Sequence, residues 1–187
     1  MKTQLLAQIH SPSIPNFSLF TTPEAFQVLP ELLDELLNQE QSKFQHLLKK
    51  SKESLTFEDF VQPSSLAYLR SLLNHINQVD SSEQIRQIIA DFRPKYENFS
   101  NEVAYSQPYF ELLQRAEEHF TLDPDQKRIL ELAIRDYKLR GIDLDPQKQA
   151  QLKQINTQLS QVAETFQNNV VDEQAAFSYH FETDKAL

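Results

Sequence analysis

The sequence predicts an all-α fold: a bundle of about six helices with long antiparallel hairpins, plus one C-terminal β-strand lacking a partner. Three observations predict it. Apolar residues recur at three- and four-residue steps through six successive segments; helix-start signals, with Ser, Thr or Asp beside Pro or an acidic residue, precede most of them; and only one short stretch alternates with period two.

Residues 1–20 mix Pro12 and Pro15 with isolated apolar residues, which reads as an extended arm whose Ile14, Phe17, Leu19 and Phe20 dock on the body. Thr22-Pro23-Glu24 supplies an N-cap with proline in the first turn, and Leu29, Leu33, Leu36, Phe44, Leu47 and Leu48 follow at helical spacing. Pro30 is an alternative start for that helix. A second helix over 56–79 carries Phe57, Phe60, Val61, Leu69, Leu72, Leu73 and Ile76, with Pro63 as a kink or restart. Asp80-Ser81-Ser82-Glu83 closes it and caps a third, whose Ile85, Ile88, Ile89, Phe92, Tyr96, Phe99 and Val103 form the cleanest stripe, interrupted at Pro94.

Pro108 opens a short fourth helix through Tyr109, Leu112, Leu113, Ala116 and Phe120. Asp123-Pro124 starts a fifth, with Ile129, Leu130, Ala133, Ile134 and Tyr137 on one face. The lone glycine, Gly141, then suits a left-handed residue just past a helix end that carries Lys138 and Arg140. Asp145-Pro146 begins the sixth helix, whose Leu152, Ile155, Leu159, Val162, Phe166 and Val170 make a heptad-like seam. Such a seam implies a long antiparallel neighbour, most simply the fifth helix.

Finally Phe177, Tyr179 and Phe181 alternate with Ser178, His180 and Glu182, a strand pattern with no second strand to hold it. The expected organisation is therefore an extended arm over 1–20, a helical domain over 21–172, and a terminal strand segment over 173–187 whose partner is expected in another chain or in residues after Leu187.

Composition limits the chemistry. One glycine in 187 residues leaves no phosphate-cradling loop, dinucleotide fingerprint or nucleophile elbow, each of which needs several at fixed spacing. The absence of cysteine removes disulfides, thiolate nucleophiles and cysteine-bound zinc. A formal net charge of −9 disfavours nucleic acid and anionic membrane as partners, and no apolar stretch approaches the roughly 18 residues of a membrane span, so the expected compartment is the cytoplasm. Lys43, Lys49, Lys50 and Lys52 read as a solvated helix end.

No catalytic, cofactor-binding or metal-ligating residue is expected. His10, His46, His75, His119 and His180 never fall within a helical turn of one another, His180 with Glu182 reads as a polar strand face, and Glu117-Glu118-His119 reads as a helix end. Glu58-Asp59, Asp123 with Asp125, and Asp143 with Asp145 fit caps and turns better than acid–base machinery, and Asp143-Leu144-Asp145 lacks the spacing of a calcium loop.

Over 135–172 the sequence reads Arg135-Asp136-Tyr137, Gly141 at a turn, and a long helix closing on Leu159-Ser160, Phe166, Asn168-Asn169-Val170 and Asp172. This pattern resembles the oligopeptidase A branch of the thimet oligopeptidase family. Collinear similarity upstream includes Pro15, Phe17 and Ser18, Leu29-Pro30-Glu31, and Thr56-Phe57-Glu58-Asp59, so the resemblance covers essentially the whole chain. It implies the N-terminal region of a zinc metallopeptidase, forming helices on one side of a deep channel that admits short peptides, while the remainder of the peptidase, its catalytic domain, holds zinc on an H-E-x-x-H helix. No residue here matches that motif, so the chain alone is expected to be inactive and to hold no zinc. Two other readings stand beside it: a stand-alone helical interaction module derived from that family, and an unrelated helical-bundle enzyme, which the lack of clustered ligands disfavours.

Overall fold

The computed structural model describes residues 1–11 and 14–179. Among them are seven α-helices: α1 (Lys2–Ile9), α2 (Pro23–Leu48), α3 (Ser65–Val79), α4 (Glu83–Ala104), α5 (Gln107–His119), α6 (Pro124–Leu139) and α7 (Pro146–Ala176). Short 3₁₀ turns occur at Phe17–Phe20, Lys52–Ser54 and Phe57–Phe60, and no strand occurs among the described residues. The all-α expectation holds. Contacts divide the chain into two units, Met1–Arg140 and one that begins at Gly141.

The helix starts lie where the caps predict them. The side chains of Thr22, Ser64, Ser82, Ser106, Asp123 and Asp145 each accept a hydrogen bond from a backbone N–H in the first turn of α2 to α7, satisfying a donor that has no partner inside the helix. Asp123 and Gln126 complete a reciprocal capping box, as do Thr56 and Asp59 at the 3₁₀ turn before α3.

Three local expectations are corrected. The arm is not extended throughout, because residues 2–9 coil into α1, which buries Leu5 and Ile9 one helical turn apart and is tethered by Lys2 to Glu31 and Glu35 of α2. Of the residues expected to dock from the arm, Phe20 is fully buried whereas Ile14 is 87% exposed. Secondly, neither Pro30 nor Pro94 breaks its helix. Each removes one backbone bond, a local cost of about 3 kcal/mol, which is outweighed by apolar residues buried on both sides, such as Leu29 and Leu33 around the first. Pro63 acts as a true restart, separating the 3₁₀ turn from α3. Thirdly, the strand is not formed over 177–179, since α7 runs to Ala176 and the next three residues have no regular structure. His180, Phe181 and Glu182 lie outside the described residues.

Within Met1–Arg140, α2 is the central helix. Its buried Ala25, Leu29, Leu32, Leu33, Leu36 and Leu37 form a double column wide enough to meet α1, α3 and α4. Leu66, Leu69, Leu73 and Ile76 of α3 and Ile85, Ile88 and Phe92 of α4 close the core from the other side. The core is purely apolar: among the described residues no polar side chain is buried. The helices α5 and α6 make an antiparallel hairpin, its open end marked by the Phe110 and Tyr137 rings stacked 5.9 Å apart.

Candidate functional site

The four described histidines have separate surroundings. His10 Nε2 lies 3.0 Å from Ser65 Oγ, the His75 ring rests against Phe17, and His119 Nδ1 donates to the Arg115 carbonyl at 2.8 Å. His46 sits in the last turn of α2. Among the described residues no three His, Cys, Asp or Glu side chains are grouped to hold a metal. The paired carboxylates serve local structure: Asp123 and Asp145 are N-caps, and backbone and side-chain bonds from Lys148 hold the Asp145 carboxyl below the usual carboxylate range.

Asp59 is the most constrained carboxylate. Its oxygens take both Lys50 Nζ, at 2.7 and 2.8 Å, and the Thr56 N–H at 2.9 Å. Burial pushes its pKa up, but the Lys50 ammonium and the Thr56 amide outweigh that and hold it lowered. A carboxylate so saturated cannot act as a general base. Because its folded pKa is depressed, the stability it contributes is present above the unfolded carboxylate value, near 4, and is lost as pH falls through the folded value. Lys50→Met should cost about 1–2 kcal/mol at neutral pH by stripping two charge-assisted bonds from Asp59. The deficit relative to the wild type should shrink as pH is lowered past 4; urea titrations at pH 7 and pH 3 check both statements.

Beside this pair is an aromatic cluster. Phe44, Phe60, Phe99 and Tyr109 line a cleft of about 430 Å³, and the Tyr109 ring contacts Phe44, Phe60 and Tyr137 at 5.6, 6.0 and 5.8 Å. Burial raises both tyrosine pKa values, so both remain neutral phenols. The Tyr137 hydroxyl donates to the Val103 carbonyl at 2.6 Å, pinning the end of α6 to the end of α4. The residue that follows Arg135-Asp136 thus has a structural role. Tyr137→Phe should lower stability by about 1 kcal/mol, the value of one partly buried hydrogen bond. Equal denaturation midpoints would show that the bond contributes nothing.

The second unit opens with Gly141 at φ +83°, the one described residue in the left-handed region. Its carbonyl and that of Ile142 accept from Gln149 Nε2, and the Asp145 cap then launches α7. The seam expected along α7 falls within this second unit, which itself leaves it uncovered. Ile155, Leu159, Val162 and Phe166 are 57–67% exposed, and Val162 and Phe166 border a shallow groove of about 590 Å³ flanked by Gln158, Gln161, Thr165 and Asn169. A row of large apolar side chains exposed in line on one helix is the kind of patch that marks interaction surfaces in general. The described residues that flank this groove are neutral and polar.

Comparison with known proteins places these features. A family model described as Neurolysin/Thimet oligopeptidase, N-terminal domain, matches residues 29–149, well over half of the chain. Among curated proteins the chain is similar to oligopeptidase A of Escherichia coli (26% identical over 170 residues, 84% of this chain and 25% of that protein). It is likewise similar to oligopeptidase A of Haemophilus influenzae (26% over 174 residues, 87% and 25%). A third relative is the organellar oligopeptidase A of Arabidopsis thaliana (26% over 133 residues, 67% and 17%). The matched region spans about a quarter of the length of the bacterial relatives. No solved structure matches the chain. No described helix is long and apolar enough to cross a membrane.

Proposed function

The chain belongs to the family of Neurolysin/Thimet oligopeptidase N-terminal domains, and from that premise we propose that it forms one helical wall of the substrate channel of an oligopeptidase A-like zinc peptidase. On this reading the wall limits the length of the peptides admitted. The zinc and the groups that activate water come from a catalytic domain outside these residues, and that domain covers the stripe on α7. The compartment that goes with this reading is the cytoplasm, in keeping with the absence of cysteine.

The observation that carries the reading is the family match over 29–149, most of which falls on the packed unit Met1–Arg140. Two others support it. The matched region makes up about a quarter of the length of the bacterial relatives, and α7 presents an apolar face that its own unit leaves open. The interaction-module reading uses the same face and differs only in what covers it.

A chimera in which this chain replaces the matching region of Escherichia coli oligopeptidase A tests the proposal. It should fold and hydrolyse short peptides in a chelator-sensitive manner, whereas the 187-residue chain alone should hydrolyse none. Turnover by the isolated chain, or a folded chimera that binds zinc yet excludes short peptides, would overturn it.

A further inference from the structure

A cleft of about 410 Å³ opens where α3 and α4 pack over α2, within the roughly 300–1,000 Å³ range of small-molecule sites. Its floor is apolar, made by Leu33, Leu73, Ile89 and Phe92, three of them buried. Its rim is charged with both signs. Arg70 of α3 lays its guanidinium on the Tyr96 ring, 3.2 Å from the centroid, while Arg93 and Glu97 stand one turn apart on α4. Among the described residues neither arginine has a carboxylate partner, and Glu97 has no cationic one.

Stacking on Tyr96 fixes the plane of the Arg70 fork and leaves its N–H edge free, the state in which a guanidinium recognises a carboxylate bidentately with least entropy loss. A phosphate would gain from the two arginines but would meet Glu97 and an apolar floor. A ligand with a carboxylate, an ammonium and an apolar side chain satisfies all three parts. We infer that this cleft binds the zwitterion of a free amino acid or dipeptide with an apolar side chain, its carboxylate on Arg70 and Arg93, its ammonium on Glu97, and its side chain on the Leu33 and Phe92 floor. For a chain of net charge −9, two unpaired guanidiniums at one cleft are a local inversion of sign that favours an anionic group there. The assignment needs only the cleft and not the family match, so its failure would leave the peptidase reading untouched.

Isothermal titration of the intact chain with leucine and leucyl-leucine, each also as its amide and its N-acetyl form, tests it. Saturable binding is expected for leucine or leucyl-leucine, and whichever binds identifies the source. Blocking either terminus should weaken binding about tenfold, the equivalent of about 1.4 kcal/mol. Arg70→Met should reduce the preference for acid over amide while keeping affinity for the side chain, and Glu97→Gln should reduce the preference for the free amine. Should Arg70→Met lose its helical circular dichroism, Arg93→Gln, at an exposed position, carries the same test of the carboxylate. Absence of saturation with the wild type, or equal affinity for free and blocked peptides, would overturn the assignment.

Discussion

Leu69→Ala is expected to lower the unfolding free energy by about 2–5 kcal/mol, the usual cost of a cavity left by a buried leucine. Leu69 is fully buried near the middle of α3, within the core that α1, α2, α3 and α4 share. With no polar side chain buried among the described residues, that core is held by packing alone, and neither a salt bridge nor a buried hydrogen bond is available to compensate for a void. Against the 5–15 kcal/mol typical of a domain, the loss should be visible as a large drop in urea midpoint at unchanged slope. Val79→Ala, at the end of the same helix and 68% exposed, should change stability by less than about 0.5 kcal/mol. Equal midpoints for the two variants would mean that α3 is not part of the cooperative core.

Gly141→Val is expected to cost about 1–3 kcal/mol. The residue turns the chain at φ +83°, a region β-branched side chains avoid. A Cβ placed there would lie 2.6 Å from Leu152 Cδ2 and 2.9 Å from Leu144 Cδ1. Both are ends of flexible side chains and can swing aside, so the larger share of the penalty comes from the backbone. Gly141→Asn, which tolerates the left-handed region, should therefore recover much of the loss. If valine and asparagine proved equally harmful, the cost would lie in side-chain crowding instead.

The helices were legible in the sequence to the degree that their causes are local. Caps at Thr22, Ser82, Asp123 and Asp145 announce themselves because an N-cap is one side chain bonding its own helix. Pro94 misled, since its penalty is local whereas the packing of Ile85, Ile88 and Phe92 that outweighs it is not. The helix α1 was hidden because eight residues carry too few periods to read, and only α2 beneath Leu5 and Ile9 makes them fold. The strand expectation at 177–179 failed for a related reason: three alternating residues are a pattern without a partner.

The surfaces divide the same way. The α7 seam was readable as a face, because spacing tells which side chains align. Tyr137 was visible as a motif residue, yet its bond to Val103 spans 34 positions. Arg70 and Tyr96 lie on different helices, and only the α3–α4 hairpin brings them together; no spacing rule could pair them.

The central claim is that the α7 stripe is a docking face that the catalytic domain of a peptidase covers. Hydroxyl-radical footprinting with mass detection, applied to the isolated chain and to the Escherichia coli chimera, tests it most directly. Leu159 and Phe166, 64% and 67% exposed here, should be oxidised readily in the isolated chain and protected in the chimera, while Tyr105, 56% exposed and off the stripe, labels in both. Equal labelling of Leu159 and Phe166 in a folded, active chimera would contradict the claim and leave the stripe for some other partner.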